Sequence, residues 1–96
     1  MKAVAYYPEA ESELDDALAT SSDPTGFRHS VDAALNDVAS GLMVHAKYPR
    51  SRCREIVLVG LPYTLIYDDR LSEILVVAVA HDKRQRGYWK KRLRRP

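Results

Sequence analysis

The stretch "HDKRQRGYWKKRLRRP" (81–96) concentrates the side chains best suited to chemistry. From Lys83 onward eight of fourteen residues are Lys or Arg, none is acidic, and Tyr88 and Trp89 sit in the middle. An Arg held beside a strand end, as Arg84 is after "ILVVAVAH", is placed to meet a phosphate or a carboxylate. A second basic cluster, Lys47, Arg50 and Arg52, lies in "HAKYPRSR" (45–52). His29, His45 and His81 are far apart and have no cysteines at zinc spacing, so no metal site and no cofactor is expected. His81 suits a hydrogen-bonding structural role at a strand end, with general-base work as the sharper reading.

The charge is divided between the halves of the chain. Residues 1–46 carry eight acids against two bases, a net of −6, whereas residues 47–96 carry five acids against thirteen bases, a net of +8. Such asymmetry points to an anionic partner for the second half, or to a solvated face that balances the first.

These groups must be positioned by a small fold. At 96 residues the chain reads as one domain spanning 1–96. The lone Cys53 excludes an internal disulfide framework and fits a reducing cytoplasm. The N-terminus has no apolar signal segment. The longest apolar run, "ILVVAVA" (74–80), is far short of the ~20 residues a spanning helix needs, so a water-soluble protein with no membrane contact is expected.

"KAVAYY" (2–7) reads as a strand. Pro8 suits a first helical position, Glu9, Glu11 and Glu13 favour the positive end of a helix dipole, and Ala10, Leu14, Ala17 and Leu18 recur at helical spacing, which predicts a helix over 8–20. After the turn "SSDP", a second helix carries Phe27, Val31, Ala34, Leu35 and Val38 on one stripe and stops at Gly41. Three strands follow closely, "CREIVLVG" (53–60), "PYTLIYD" (62–68) and "EILVVAVAH" (73–81), which tight turns force into antiparallel hairpins. The order β-α-α-β-β-β predicts an α+β domain, with a helical hairpin packed on one face of a small antiparallel sheet. Along 74–80 both alternating sets of side chains are apolar, so the face opposite the helices also needs cover. The C-terminal segment, a second subunit or a partner protein could supply it. Trp89 is expected to pack there, and Tyr88 either packs or works. Residues from about 90 to 96 read as a mobile basic tail.

The chain resembles the RelE/ParE superfamily of bacterial type II toxin-antitoxin toxins, often called plasmid stabilisation proteins. The resemblance is carried by "YYPEAESELDDA" (6–17), "CREIVLVGLPYTLIYD" (53–68) and "ILVVAVAHDKRQRGYWKKR" (74–92). It implies a growth-inhibiting toxin held inactive by a cognate antitoxin, acting on the ribosome and its mRNA or on DNA gyrase. RelE-like members cut mRNA without metal, and such cleavage needs cations for an anionic phosphorane and a group that moves protons. By position, Arg84 looks like the phosphate-stabilising Arg and Tyr88 like the C-terminal Tyr. Lys47, Arg50 and Arg52 occupy the loop where the family's catalytic lysines lie, and Lys83 and Arg86 join them as nucleic-acid or target-binding residues. Where RelE-like enzymes carry an Arg after the hairpin aromatic, this chain has Thr64, and Arg54 on the adjacent strand is the candidate substitute. With Arg84 and Tyr88 both present, RNA cleavage is the favoured expectation. Gyrase inhibition by protein contact, or a toxin fold that only binds antitoxin, are the alternatives.

Overall fold

The computed structural model describes residues 1–94; Arg95 and Pro96, the end of the expected tail, lie outside the described residues. Strand β1 (Ala3–Tyr6) leads directly into α1 (Pro8–Thr20), with Pro8 in the first turn as its fixed φ favours. Helix α2 (Pro24–Ala39) begins at Asp23, whose Oδ1 accepts the Gly26 amide at 3.0 Å and so satisfies one of the open donors of the first turn. Gly41, at φ +80°, ends this helical unit in a left-handed conformation that glycine adopts without strain.

Strands β2 (Arg54–Val57), β3 (Tyr63–Asp69) and β4 (Glu73–His81) form the expected antiparallel meander. The α+β class and the β-α-α-β-β-β order hold. The sheet, however, is mixed: its order is β1-β4-β3-β2, and β1 runs parallel to β4, with Ala3 opposite Glu73 and Tyr6 opposite Val76. The reason is the connection. Tight turns reverse the chain between β2, β3 and β4, whereas both helices intervene between β1 and the sheet and supply the long crossover that a parallel pair requires.

One sheet face packs on the helices. Ala10, Leu14 and Ala17 of α1 and Phe27, Val31, Leu35 and Val38 of α2 meet Ile56, Leu65, Tyr67, Ile74 and Val76. The opposite face is buried by the chain itself. Residues Tyr88–Arg94 form a 3-10 helix, and Trp89, 1% exposed, lies in a second cluster with Tyr48, Cys53, Ile66, Val77 and Ala78. The C-terminal segment is therefore the cover that the doubly apolar strand calls for, and Trp89 packs as expected. The expected mobile tail is corrected as far as Arg94, because a large indole with an apolar sheet face to bury holds the chain down. Gly87, at φ +76°, makes the turn into this helix. A bulge assists: Ile66 pairs with Ala78 and Tyr67 with Val76, so Val77 has no partner and both Val77 and Ala78 reach the second cluster.

Among the described residues no helix is long and apolar enough to cross a membrane, and no group of three or more His, Cys, Asp or Glu could hold a metal ion.

Candidate functional site

Where β4 ends, the loop 82–87 folds back over the second sheet face and leaves a small cleft of about 60 Å³. Tyr48, Glu55, Thr64, His81, Arg84 and Arg86 line it. Two β3 residues of one parity, Thr64 and Ile66, face this side, and the cross-strand pair Glu55–Ile66 brings Glu55 with them.

Two guanidiniums stand at the cleft, and neither makes a side-chain hydrogen bond among the described residues. Arg84 lies 3.9 Å above the Tyr88 ring, with Nη1 3.9 Å from Glu13 Oε2. Arg86 lies 4.7 Å from the Tyr48 ring, with Nη2 3.7 Å from Glu55 Oε2. Each thus pairs an aromatic face with a nearby carboxylate, two attractions that orient a cation yet leave its N–H donors open. The Tyr48 ring is itself fixed edge-on against Trp89 at 4.8 Å.

Behind Arg84 lies a tightly bonded network. Tyr88 Oη donates to Glu13 Oε2, and Arg92 grips the same carboxylate with Nη1 to Oε1 at 2.9 Å and Nη2 to Oε2 at 3.0 Å. The Val79 amide donates to Glu13 Oε1 at 3.1 Å, and Arg92 Nη1 also donates to the Val77 carbonyl at 2.9 Å. These last two bonds have a structural meaning. Strand β1 leaves β4 at Val76, so the next outward-facing backbone groups of β4 would be an open sheet edge. Arg92 and Glu13 take those groups in place of a strand.

The electrostatics follow from this packing. Burial pushes the Glu13 carboxyl upward, but the bonds from Arg92, Tyr88 and the Val79 amide outweigh it, and the group titrates below the usual carboxylate range. Burial, reinforced by donation to the Glu13 carboxylate, drives the Tyr88 phenol well above its ordinary value. Tyr88 therefore keeps its proton at any ordinary pH and is bound as a donor.

The remaining expected site residues are distributed as follows. Arg54 pairs with Tyr67, on the helix-bearing face, and its Nη1 donates to the His45 carbonyl at 2.8 Å; it does not replace the cation absent at Thr64. Thr64 instead donates to Asp82 Oδ1 at 3.1 Å. Arg52 binds the buried Asp68 carboxylate at 3.0 Å, beyond the far end of the cleft, and this bond raises its own pKa. Arg50 and Lys47 are exposed on the 45–52 loop; Arg50 has φ 56° at its turn, and Lys47 bridges to Arg54. His81 Nδ1 accepts the Lys83 amide at 3.1 Å, and its ring meets Tyr63 edge-on at 4.9 Å, which leaves it a turn-forming role at the strand end. Lys83 is exposed in the loop. The structure thus gathers Arg84, Arg86, His81 and Tyr88 and sets Arg50, Arg52 and Arg54 elsewhere.

Sequence reasoning missed Glu13, Tyr48, Glu55 and Arg92. Glu13 carries a signal: it lies three residues after Ala10 and four before Ala17, both buried, so it borders the apolar stripe of α1, where a carboxylate needs a partner. Arg92 was hidden in a run of like charges.

The sequence matches no protein-family model, and no curated protein matches it. Among solved structures, one described as a chromosomal ParDE TA system from P. aeruginosa superposes with a TM-score of 0.65, covering 84% of this chain and 96% of that chain at 10% sequence identity. At that identity the likeness is one of fold: the chain shares the ParE-like α+β architecture of that structure.

Proposed function

We propose that this chain is the toxin of a two-protein toxin-antitoxin pair, and that it arrests growth by protein–protein contact, as ParE-like gyrase inhibitors do, without cutting RNA. The whole chain, 1–96, acts as a single toxin domain in the cytoplasm, with a cognate antitoxin as its resident partner. The observation that carries this reading is the state of Tyr88. Proton transfer in RNA cleavage needs a group poised to give or take a proton near the working pH. Tyr88 instead donates to Glu13, and that carboxylate stabilises the neutral phenol. The cations tell the same story. Thr64 supplies no charge, and Arg52 and Arg54 are bonded outside the cleft. At the cleft stand two guanidiniums, each oriented by an aromatic ring and a carboxylate, a feature suited to meeting carboxylates on a protein. The ParE-like fold agrees with this choice.

The test is induction without the antitoxin. The expected outcome is filamentation with gyrase-linked DNA breaks and intact mRNA. Fragmented mRNA and immediate translation arrest would overturn the proposal in favour of the nuclease, and normal growth would overturn it in favour of a fold that only binds its antitoxin.

A further inference from the structure

Arg84 is exposed, and it differs from Arg92, Arg54 and Arg52 in one respect. Arg92, Arg54 and Arg52 spend their guanidinium donors on Glu13 and Val77, on the His45 carbonyl and on Asp68. Arg84 makes no side-chain hydrogen bond among the described residues, yet three contacts restrain it. Its backbone amide donates to the His81 carbonyl at 2.9 Å, its guanidinium covers the Tyr88 ring, and Glu13 Oε2 lies 3.9 Å away.

Two of these three restraints lead to one residue. The Tyr88 ring packs at the margin of the second cluster, and Glu13 fixes its hydroxyl end. A second guanidinium, Arg92, stands 5.2 Å from the same ring and is itself gripped by Glu13. Glu13 is fixed in turn by Arg92 and by the Val79 amide on the sheet. Because those groups already occupy its oxygens at hydrogen-bond distance, Glu13 attracts Arg84 by charge without consuming its donors.

We propose that Glu13 is a positioning residue: through the Tyr88 hydroxyl and its own charge it holds the Arg84 guanidinium ready at the mouth of the cleft, where Arg84 takes up a carboxylate of the protein target. The advantage is entropic. A long side chain ordered before binding loses little freedom on contact, so more of the interaction appears as affinity. Arg86, held the same way by Tyr48 and Glu55, does not depend on Glu13 and serves as an internal control.

The target-contact part rests on the proposed function; the positioning part does not, and the two are tested separately. The positioning test is ¹⁵N relaxation of the arginine Nε–H groups in the full chain and in Glu13→Gln, which keeps the size and loses the charge. In the unaltered chain the Arg84 order parameter is expected near that of rigid backbone, about 0.85, and in Glu13→Gln below about 0.6, while Arg86 is unchanged. An unchanged Arg84, or equal loosening of Arg86, overturns the proposal. Should Glu13→Gln not fold, Tyr88→Phe keeps the ring and removes only its bond to Glu13; Arg84 is expected to loosen there too, and a rigid Arg84 overturns the proposal. The contact test is growth arrest by Arg84→Ala, Glu13→Gln and the double variant. The double variant is expected to match Arg84→Ala, since Glu13 acts through Arg84, whereas an added loss in the double variant overturns that link. If the unaltered chain arrests no growth, the functional reading fails, and relaxation still decides the role of Glu13.

Discussion

Arg92 and Glu13 stand 79 positions apart and meet through two hydrogen bonds of 2.9 and 3.0 Å. Their side chains are only 8% and 16% exposed. The pair joins the last helix of the chain to the first and closes the edge of β4. Removing one partner of a buried pair leaves an uncompensated charge, so Arg92→Ala is expected to cost about 3 kcal/mol. Urea unfolding reads this directly, and a cost under about 0.5 kcal/mol, the range of ordinary surface changes, would show the pair to be ornamental.

Replacing both members by apolar residues is often neutral for a buried ion pair. Here it is not expected to be, because the Val77 carbonyl and the Val79 amide depend on the same side chains. The double variant Glu13→Leu/Arg92→Met should remain destabilised by about 2 kcal/mol, the cost of orphaned backbone groups. Full stability of that variant would mean that the edge finds other partners.

The pH dependence follows from the same site. Glu13 has a folded pKa below its unfolded value, so its contribution is present above the unfolded value, about 4.3, and fades as pH falls through the folded one. Tyr88 has a raised folded pKa, so its contribution is intact below about 10 and is lost as pH climbs above that. Glu13→Gln should flatten the acid limb of a stability–pH curve and Tyr88→Phe the alkaline limb. Curves that keep their slopes in both variants would assign those limbs to other groups.

Trp89 closes the second core, and Trp89→Ala should cost about 3–5 kcal/mol, as for other large-to-small core changes. Binding of a hydrophobic dye at native pH should rise at the same time, since Ile66, Val77 and Ala78 lose their cover. A variant with unchanged stability and no dye binding would contradict the observed packing.

Cys53 is fully buried, and its thiol is pushed up to about 11, chiefly by burial. It should ignore thiol reagents at pH 8 in the folded protein and react once urea unfolds the chain. Rapid native labelling would require an opening of the second cluster.

Most elements of the fold were legible because local chemistry specifies them. Pro8 and Asp23-Pro24 start the two helices, and the spacing of Ala10, Leu14 and Ala17 marks the buried face of α1. The even apolar pattern of 74–80 announced two covered faces, and Trp89 supplied the second cover. The same evenness concealed the bulge at Val77, since no polar residue marks the change of face. The parallel partner of β1 and the Glu13–Arg92 pair were hidden for another reason: both join distant segments, and nothing near either residue names its partner. The site was legible in part. Arg84 and Tyr88 stood out by type, but the sequence left Tyr88 between packing and proton work, and its bond to Glu13 was hidden because that carboxylate comes from distant α1. Arg54 was a candidate by proximity alone, since strand parity, which only pairing reveals, decides which way it projects, and that parity sends it to the helix-bearing face.

Burial of the second sheet face by Trp89, and closure of the β4 edge by Arg92, also bear on what a truncation would do. A chain cut before residue 89 keeps both long helices and all four strands but loses the cover of Ile66, Val77 and Ala78. Such a chain is expected to carry a bare apolar sheet face and to aggregate through it.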